Sequence, residues 1–349
     1  MTPPRNILVF QTAFIGDVVL TLPLLQVLRE QFPDASITAL TTPTAAGLLG
    51  GHPAVTRSIE YDKRGKLRGP GGMATMITML RKEKFDTALI PHRSLRSALV
   101  CRAADIPVRI GFKTALGRRL MTKTVPYIAA DHEIVRNLSL AKPLGVHPDN
   151  RPLPRLYPSE TDRQAVNDVL GKEKGGEKKG RKVIAIAPGS VWNTKRWPEE
   201  NYIELVRLLT KEGCAIILVG GEADRELSGR IVSAPGISSV IDATGKLSLL
   251  QSAELLGRCA ALVSNDSAPM HLAVAMRTPV VAIFGATVPS FGFAPMGRLD
   301  RIVETNGLRC RPCGKHGGKR CPVGTFECMQ AISSVRVRNE VLSITGMIR

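Results

Sequence analysis

The chain has 349 residues, 44% of them hydrophobic and 22% charged, with a formal net charge of +18. That length exceeds one typical core and fits two domains of about 150 residues each, and no apolar run approaches the roughly 18 residues that a membrane helix needs. Aromatic residues make up only 4%, and no recognition motif or stacking platform accompanies the positive charge, which counts against nucleic acid as the partner.

The opening, Met1-Thr-Pro-Pro-Arg-Asn-Ile-Leu-Val-Phe10, holds an apolar stretch too short for the core of a secretory leader, with no small-residue cleavage site after it. A cytoplasmic chain is expected. Residues 7–10 read as a short strand, followed by a loop containing Gly16 and Asp17. Val18, Leu22, Leu25 and Leu28 then fall on one face of a single helix, which Pro33-Asp34 ends, and residues 36–40 read as the next strand. This β-α-β pattern implies parallel strands. Further strands are expected at 87–90 and 109–111. Residues 57–123 hold 16 Lys and Arg against 5 Asp and Glu, a local excess of 11. A field of that sign favours a phosphorylated substrate or an anionic membrane surface; the alternative is a solvated face.

Four prolines, Pro148, Pro152, Pro154 and Pro158, punctuate the chain before a helix start at Ser159 with Asp162 as its capping acid. Residues 171–182 are rich in glycine and lysine and are expected to form an exposed loop. The alternation then begins again. Strands are expected at 183–187, 214–219, 239–242, 261–264 and 279–284, with helices at 198–211, 222–232, 248–258 and from Ser267 onward. The reading is α/β: two doubly wound, Rossmann-like domains, 1–158 and 159–325, facing across a cleft, then a helical tail at 326–349. Ligands should sit in the loops at the carboxyl ends of the strands.

Several common chemistries fail on their motifs. Where a dinucleotide fingerprint needs G-x-G-x-x-G after the first strand, the chain has Gln11-Thr-Ala-Phe-Ile-Gly16. No Gly-Lys pair is followed by Ser or Thr, and neither G-x-S-x-G nor H-E-x-x-H occurs. Three constellations remain, each after a strand. In Phe14-Ile-Gly-Asp-Val-Val-Leu-Thr-Leu-Pro23, Asp17 stands at a helix start, as a cap or as a reacting acid. In Ala187-Pro-Gly-Ser-Val-Trp-Asn-Thr-Lys-Arg-Trp-Pro198, Lys195 and Arg196 suit a diphosphate or a solvated loop. In Ser264-Asn-Asp-Ser-Ala-Pro-Met-His271, Asp266, Ser267 and Ala268 open a helix, where backbone N–H groups and the dipole hold phosphate.

These three segments, in this order and spacing, resemble the ADP-heptose:lipopolysaccharide heptosyltransferases of glycosyltransferase family 9, over nearly the whole chain. The Asn265-Asp-Ser-x-x-Met-His271 and Cys321-Pro…Cys328-Met patterns look more like heptosyltransferase II than heptosyltransferase I. The resemblance implies the GT-B architecture and an inverting, metal-independent transfer of heptose from ADP-heptose to a Kdo-lipid A type acceptor, with no cofactor required. By resemblance Asp17 is the catalytic base and Lys195 neutralises the diphosphate, with Ser190 near the phosphates. Asp266 binds donor hydroxyls, Ser267 and Ala268 offer phosphate-binding amides, and His271 lies one turn on. Glu222 is the candidate for the ribose, and the Lys246-Leu247 backbone for the adenine edge. Many members have glycine at the position of Ala268, which leaves the amide contact but less room. Arg64, Lys66 and Arg68 are expected to meet the anionic acceptor and the inner-membrane surface, making the enzyme peripheral there. Three other readings stay open: heptosyltransferase I or another family 9 transferase with a different acceptor, a nucleotide-sugar epimerase of the same architecture, and a basic nucleic-acid-binding protein.

Cys101, Cys214 and Cys259 sit in apolar contexts and read as core residues. Cys310, Cys313, Cys321 and Cys328 form C-x2-C-x7-C-x6-C. The first pair has metal-ligand spacing and the second does not match a common zinc ribbon, so reduced thiols, a structural zinc and disulfides all remain open. The cluster is expected to stand apart from the chemistry.

Overall fold

A computed structural model describes residues 2–148, 151–172 and 181–348. They fall into two compact units, Met1–Tyr157 and Pro158–Arg349. In the first, strands β1 (Asn6–Phe10), β2 (Ser36–Thr41), β3 (Arg57–Glu60), β4 (Thr87–Leu89), β5 (Val108–Phe112) and β6 (Lys123–Val125) alternate with helices α1 (Ile15–Val19), α2 (Leu22–Gln31), α3 (Pro43–Ala46), α4 (Gly69–Lys82), α5 (Leu95–Ala103) and α6 (Glu133–Ser139). The six strands form one sheet in the order β3-β2-β1-β4-β5-β6, every pairing parallel.

The second unit opens with α7 (Glu160–Lys172) and builds its sheet from β7 (Val183–Ala187), β8 (Ala215–Leu218), β9 (Val240–Asp242), β10 (Ala261–Asn265), β11 (Val280–Phe284) and β12 (Arg301–Glu304). Helices α8 (Glu199–Lys211), α9 (Arg225–Val232), α10 (Leu249–Gly257) and α11 (Ala268–Ala275) intervene, and α12 (Glu327–Gln330) and α13 (Ser334–Ile344) follow. Its order, β12-β11-β10-β7-β8-β9, is again all parallel. Both sheets therefore have Rossmann topology, reversing between β1 and β4 in one and between β7 and β10 in the other. That reversal opens a crevice at the strand carboxyl ends.

Three expectations change. The single helix after β1 is two, α1 and α2, because Pro23 occupies the first turn of α2. Its ring fits a helix start and breaks a helix interior. Gly171 and Lys172 finish α7 instead of opening a loop, and residues 173–180 of the expected exposed run lie outside the described residues. The C-terminal helices are no appended tail. Met329, Ile332, Val337, Val341 and Leu342 are buried in one cluster with Ile184, Ile186 and Trp197, and the Trp197 indole N–H donates to the Ile332 carbonyl at 3.0 Å.

Candidate functional site

In the second unit the crevice is flanked by the loops after β7 and β10. They carry Lys195 and Asp266, 71 residues apart in sequence, and the Lys195 ammonium donates to the Asp266 carboxylate at 2.6 Å. The side chains are 12% and 9% exposed, so water screens the pair little. Four further hydrogen bonds hold it. Asn265 donates to the Pro188 carbonyl at 2.9 Å and accepts from the Trp197 N–H at 3.1 Å, tying the β7 loop to β10. The Thr287 hydroxyl, just past β11, donates to Asp266 Oδ2 at 2.7 Å. Lys195 also reaches the Asp266 carbonyl at 3.3 Å.

Around this pair lie most of the expected donor residues. Ser190 is buried on the same loop, and its carbonyl accepts from Arg196 Nε at 2.7 Å. Ser267 is the N-cap of α11 and Ala268 its first residue, with Pro269 in the first turn. His271 is buried one turn on. Glu222 projects from the loop after β8 and pairs with Arg225 at 3.0 Å, while Arg225 donates to the Gly245 carbonyl at 3.0 Å. That contact ties the Glu222 loop to the segment bearing Lys246 and Leu247. Beneath it, Asp224 accepts from the Gly221 N–H at 2.9 Å. A Cβ on Gly189 would stand 2.0 Å from the Asp224 carboxylate, so the glycine of Ala187-Pro-Gly-Ser190 makes room for that acid.

In the first unit the Asp17 carboxylate accepts from the Phe14 N–H at 3.0 Å, fixing the start of α1. Lys63 turns into the same loop and donates to the Thr12 carbonyl at 2.7 Å and hydroxyl at 3.0 Å. Burial lowers the Lys63 ammonium, with Arg64 and Arg96 adding to the effect. His92, after β4, is pushed down to about 4 by burial, with Lys63 and Arg93 contributing, and is neutral at physiological pH. Glu133 and Arg136 form a buried ion pair at 3.0 Å. Burial pushes Glu133 up to about 7; Arg136 opposes this and the charge of Asp17 adds to it. Arg93 lies 4.1 Å above the Tyr127 ring, and Arg136 lies 4.9 Å from it. Cations thus surround the acids at this reversal point. Sequence reasoning missed Lys63, His92, Arg93, Arg96, Glu133 and Thr287, although His92, Arg93 and Thr287 stand where the strand-end rule directs attention. Arg64, Lys66 and Arg68, selected for charge, are exposed on the turn before α4.

None of the four C-terminal cysteines is joined in a disulfide. Burial raises Cys313 and Cys328, and the neighbouring thiols add to it, whereas the Phe326 N–H and other backbone amides lower Cys321. Among the described residues no group of three or more His, Cys, Asp or Glu is arranged to hold a metal ion. The stretch between Cys313 and Cys321 is tied to the β7 loop: Gly318 hydrogen-bonds Thr194, the residue before Lys195.

Two Rossmann-type sheets in one chain, each with polar side chains gathered where its strand order reverses, are the architecture of the GT-B glycosyltransferases. The profile of glycosyltransferase family 9 (heptosyltransferase) matches residues 73–322, and the chain belongs to that family. It is 28% identical over 324 residues to the lipooligosaccharide heptosyltransferase 2 of Haemophilus influenzae, covering 90% of this chain and 93% of that protein. The solved structure of E. coli ADP-heptose lps heptosyltransferase II superposes with a TM-score of 0.80 at 25% identity, covering 98% of this chain and 99% of that one. A family 9 glycosyltransferase from Veillonella parvula shares the fold with a TM-score of 0.88 at 23% identity, covering 99% of this chain and 98% of that one.

Proposed function

We propose that the protein transfers L-glycero-D-manno-heptose from ADP-heptose, with inversion, to the inner core of a Kdo-lipid A type acceptor. The observation that carries this is the braced Lys195–Asp266 pair beside the first turn of α11. A lysine and a helix N-terminus neutralise charge developing on a departing diphosphate, as a divalent metal otherwise does. Names of the family 9 relatives supply the sugar and acceptor class. In the first unit Asp17 accepts the proton of the acceptor hydroxyl. The oxygen forms its bond to the anomeric carbon while the bond to the β-phosphate oxygen breaks, and ADP leaves with the electron pair. Lys63, Arg93 and Arg96 match carboxylates or phosphates on such an acceptor. An assay of ADP-heptose with two truncated lipopolysaccharide acceptors tests the reading: transfer to neither, with free heptose released, would favour an epimerase.

Transfer should need no metal. The acids nearest a metal-binding pattern, Glu222 and Asp224, are engaged with Arg225 and the Gly221 amide. Activity is therefore expected to survive EDTA. Full loss on chelation, restored by Mg²⁺ or Mn²⁺, would contradict the mechanism.

In this reading the protein works at the cytoplasmic face of the inner membrane. No helix among the described residues is long and apolar enough to cross a membrane. The basic region instead presents exposed Arg64, Lys66 and Arg68, and further along Leu116, 80% exposed, beside exposed Lys113, Arg118 and Arg119. Each cation near an anionic surface contributes about 1 kcal/mol, screened over about 8 Å at physiological salt. Replacing Arg64, Lys66 and Arg68 by glutamate should reduce sedimentation with anionic vesicles and raise KM for a lipid acceptor, leaving ADP affinity unchanged. Equal vesicle binding by wild type and variant at low salt would remove these residues from docking.

A further inference from the structure

Residues 310–321 bond to a neighbour of each half of the Lys195–Asp266 pair: Thr194, the residue before Lys195, and Thr287, which holds Asp266. At one end Gly318 makes two hydrogen bonds to Thr194: its N–H donates to the hydroxyl at 2.7 Å, and its carbonyl accepts from the Thr194 N–H at 3.0 Å. Thr194 is 2% exposed, so these bonds compete little with water. Gly317, at φ +79°, fits beneath the loop where a Cβ would stand 3.0 Å from the Thr194 hydroxyl and 3.2 Å from Lys195 Cγ. A left-handed backbone and this close approach both call for glycine.

At the other end Arg311, its side chain 6% exposed, pairs with Glu304 at 2.5 Å. It also donates to the carbonyls of Gly285 at 2.5 Å, Thr305 at 2.9 Å and Thr287 at 2.9 Å. The Cys313 N–H adds a bond to the Ala286 carbonyl at 2.9 Å. The segment Gly285–Thr287 is thus held at three successive carbonyls, and Thr287 is the residue whose hydroxyl grips Asp266 at 2.7 Å.

We propose that residues 310–321 form a strap that positions Lys195 and Asp266 for the donor diphosphate, with Thr194 and Arg311 as the positioning residues; this rests on the donor reading above. A lysine side chain has four rotatable bonds, so its ammonium is located only as well as its backbone is. Asn265 fixes one side of the β7 loop and the strap fixes the other. Preorganised charge stabilises a leaving group only while it stays in place, and a shift of about 1 Å costs on the order of 10²-fold in rate.

The test compares Thr194→Val, Thr194→Ser and Thr345→Val, measuring ADP Kd by calorimetry, KM for ADP-heptose, kcat and Tm. Thr345, at the end of α13, donates to the Val341 carbonyl at 2.7 Å, so its replacement removes a half-buried hydrogen bond that touches neither the strap nor the pair. Thr194→Val is expected to raise ADP Kd and donor KM about 10-fold, Thr194→Ser to stay within about twofold of wild type, and Thr345→Val to lower Tm alone. Should Thr194→Val fail to fold, Arg311→Lys carries the test: it keeps the charge, loses the planar fork, and should likewise raise ADP Kd about 10-fold. Wild-type ADP affinity in either variant overturns the strap's role. Absence of ADP binding by the wild-type protein overturns the donor reading, and the strap's role with it.

Discussion

Asp17→Asn is expected to lower turnover by about 10²- to 10⁴-fold with ADP binding unchanged. The substitution separates the two roles open to this acid. As a structural group, Asp17 accepts the Phe14 N–H at 3.0 Å and fixes the first turn of α1. An asparagine carbonyl oxygen accepts the same bond, so a purely structural role leaves activity near wild type. A base, by contrast, must take a proton, and an amide does not. Glu133 is no ready substitute, because its carboxylate is engaged in the buried ion pair with Arg136 at 3.0 Å. Single-turnover rates at saturating donor, with ADP calorimetry and Tm, decide between the roles. Near-wild-type transfer by a folded Asp17→Asn protein would remove Asp17 from the mechanism.

Lys195→Ala is expected to weaken ADP and ADP-heptose binding together by about 10- to 100-fold and to slow transfer as well. A hydrogen bond to a charged group contributes about 1.5–3 kcal/mol, and each 1.4 kcal/mol is about tenfold. Transfer slows because the charge on the diphosphate grows as the sugar departs. The substitution has a second consequence. Asp266 keeps its bond from Thr287 but loses the ammonium at 2.6 Å, leaving a nearly buried carboxylate without a counter-ion. Breaking a buried pair costs about 3–5 kcal/mol, so Tm should fall too. The Lys195→Ala, Asp266→Asn double variant separates these effects: it removes the stranded charge and should recover Tm without recovering ADP affinity. Unaltered ADP affinity in Lys195→Ala would take the lysine off the diphosphate.

The inner strands were legible because burial on both faces demands continuous apolar runs. Residues 183–187, expected as a strand, are β7, and the Ser159–Asp162 cap is present, with the Ser159 N–H donating to Asp162 at 2.8 Å. The missed strands β3, β6 and β12 are edge strands. Arg57-Ser-Ile-Glu60 and Arg301-Ile-Val-Glu304 begin and end in charge, as an edge facing water permits, and so carry no apolar signal. Helix α4 was missed for a different reason. It opens Gly69-Pro-Gly-Gly72, which reads as a breaker, yet a Cβ at Gly72 would stand 2.2 Å from the Leu67 carbonyl carbon. That glycine answers a close approach, which one-dimensional pattern does not reveal.

By itself the sequence determined where a helix start, a lone acid or a cation follows an apolar strand, because these are local features. It also determined that strands and helices alternate twice along the chain. Only the tertiary structure decided which of those segments meet. Parallel pairing of β7 with β10 sets Lys195 against Asp266 across 71 residues, and pairing of β1 with β4 brings the loop of Asp17 beside that of His92 and Arg93. Residues 310–321 join Thr194 and Thr287 only after the chain has passed β12 and turned back. The physical reason is the range of the forces involved. Propensity and capping act over about one helical turn, whereas an ion pair or a hydrogen bond requires contact and is indifferent to sequence separation.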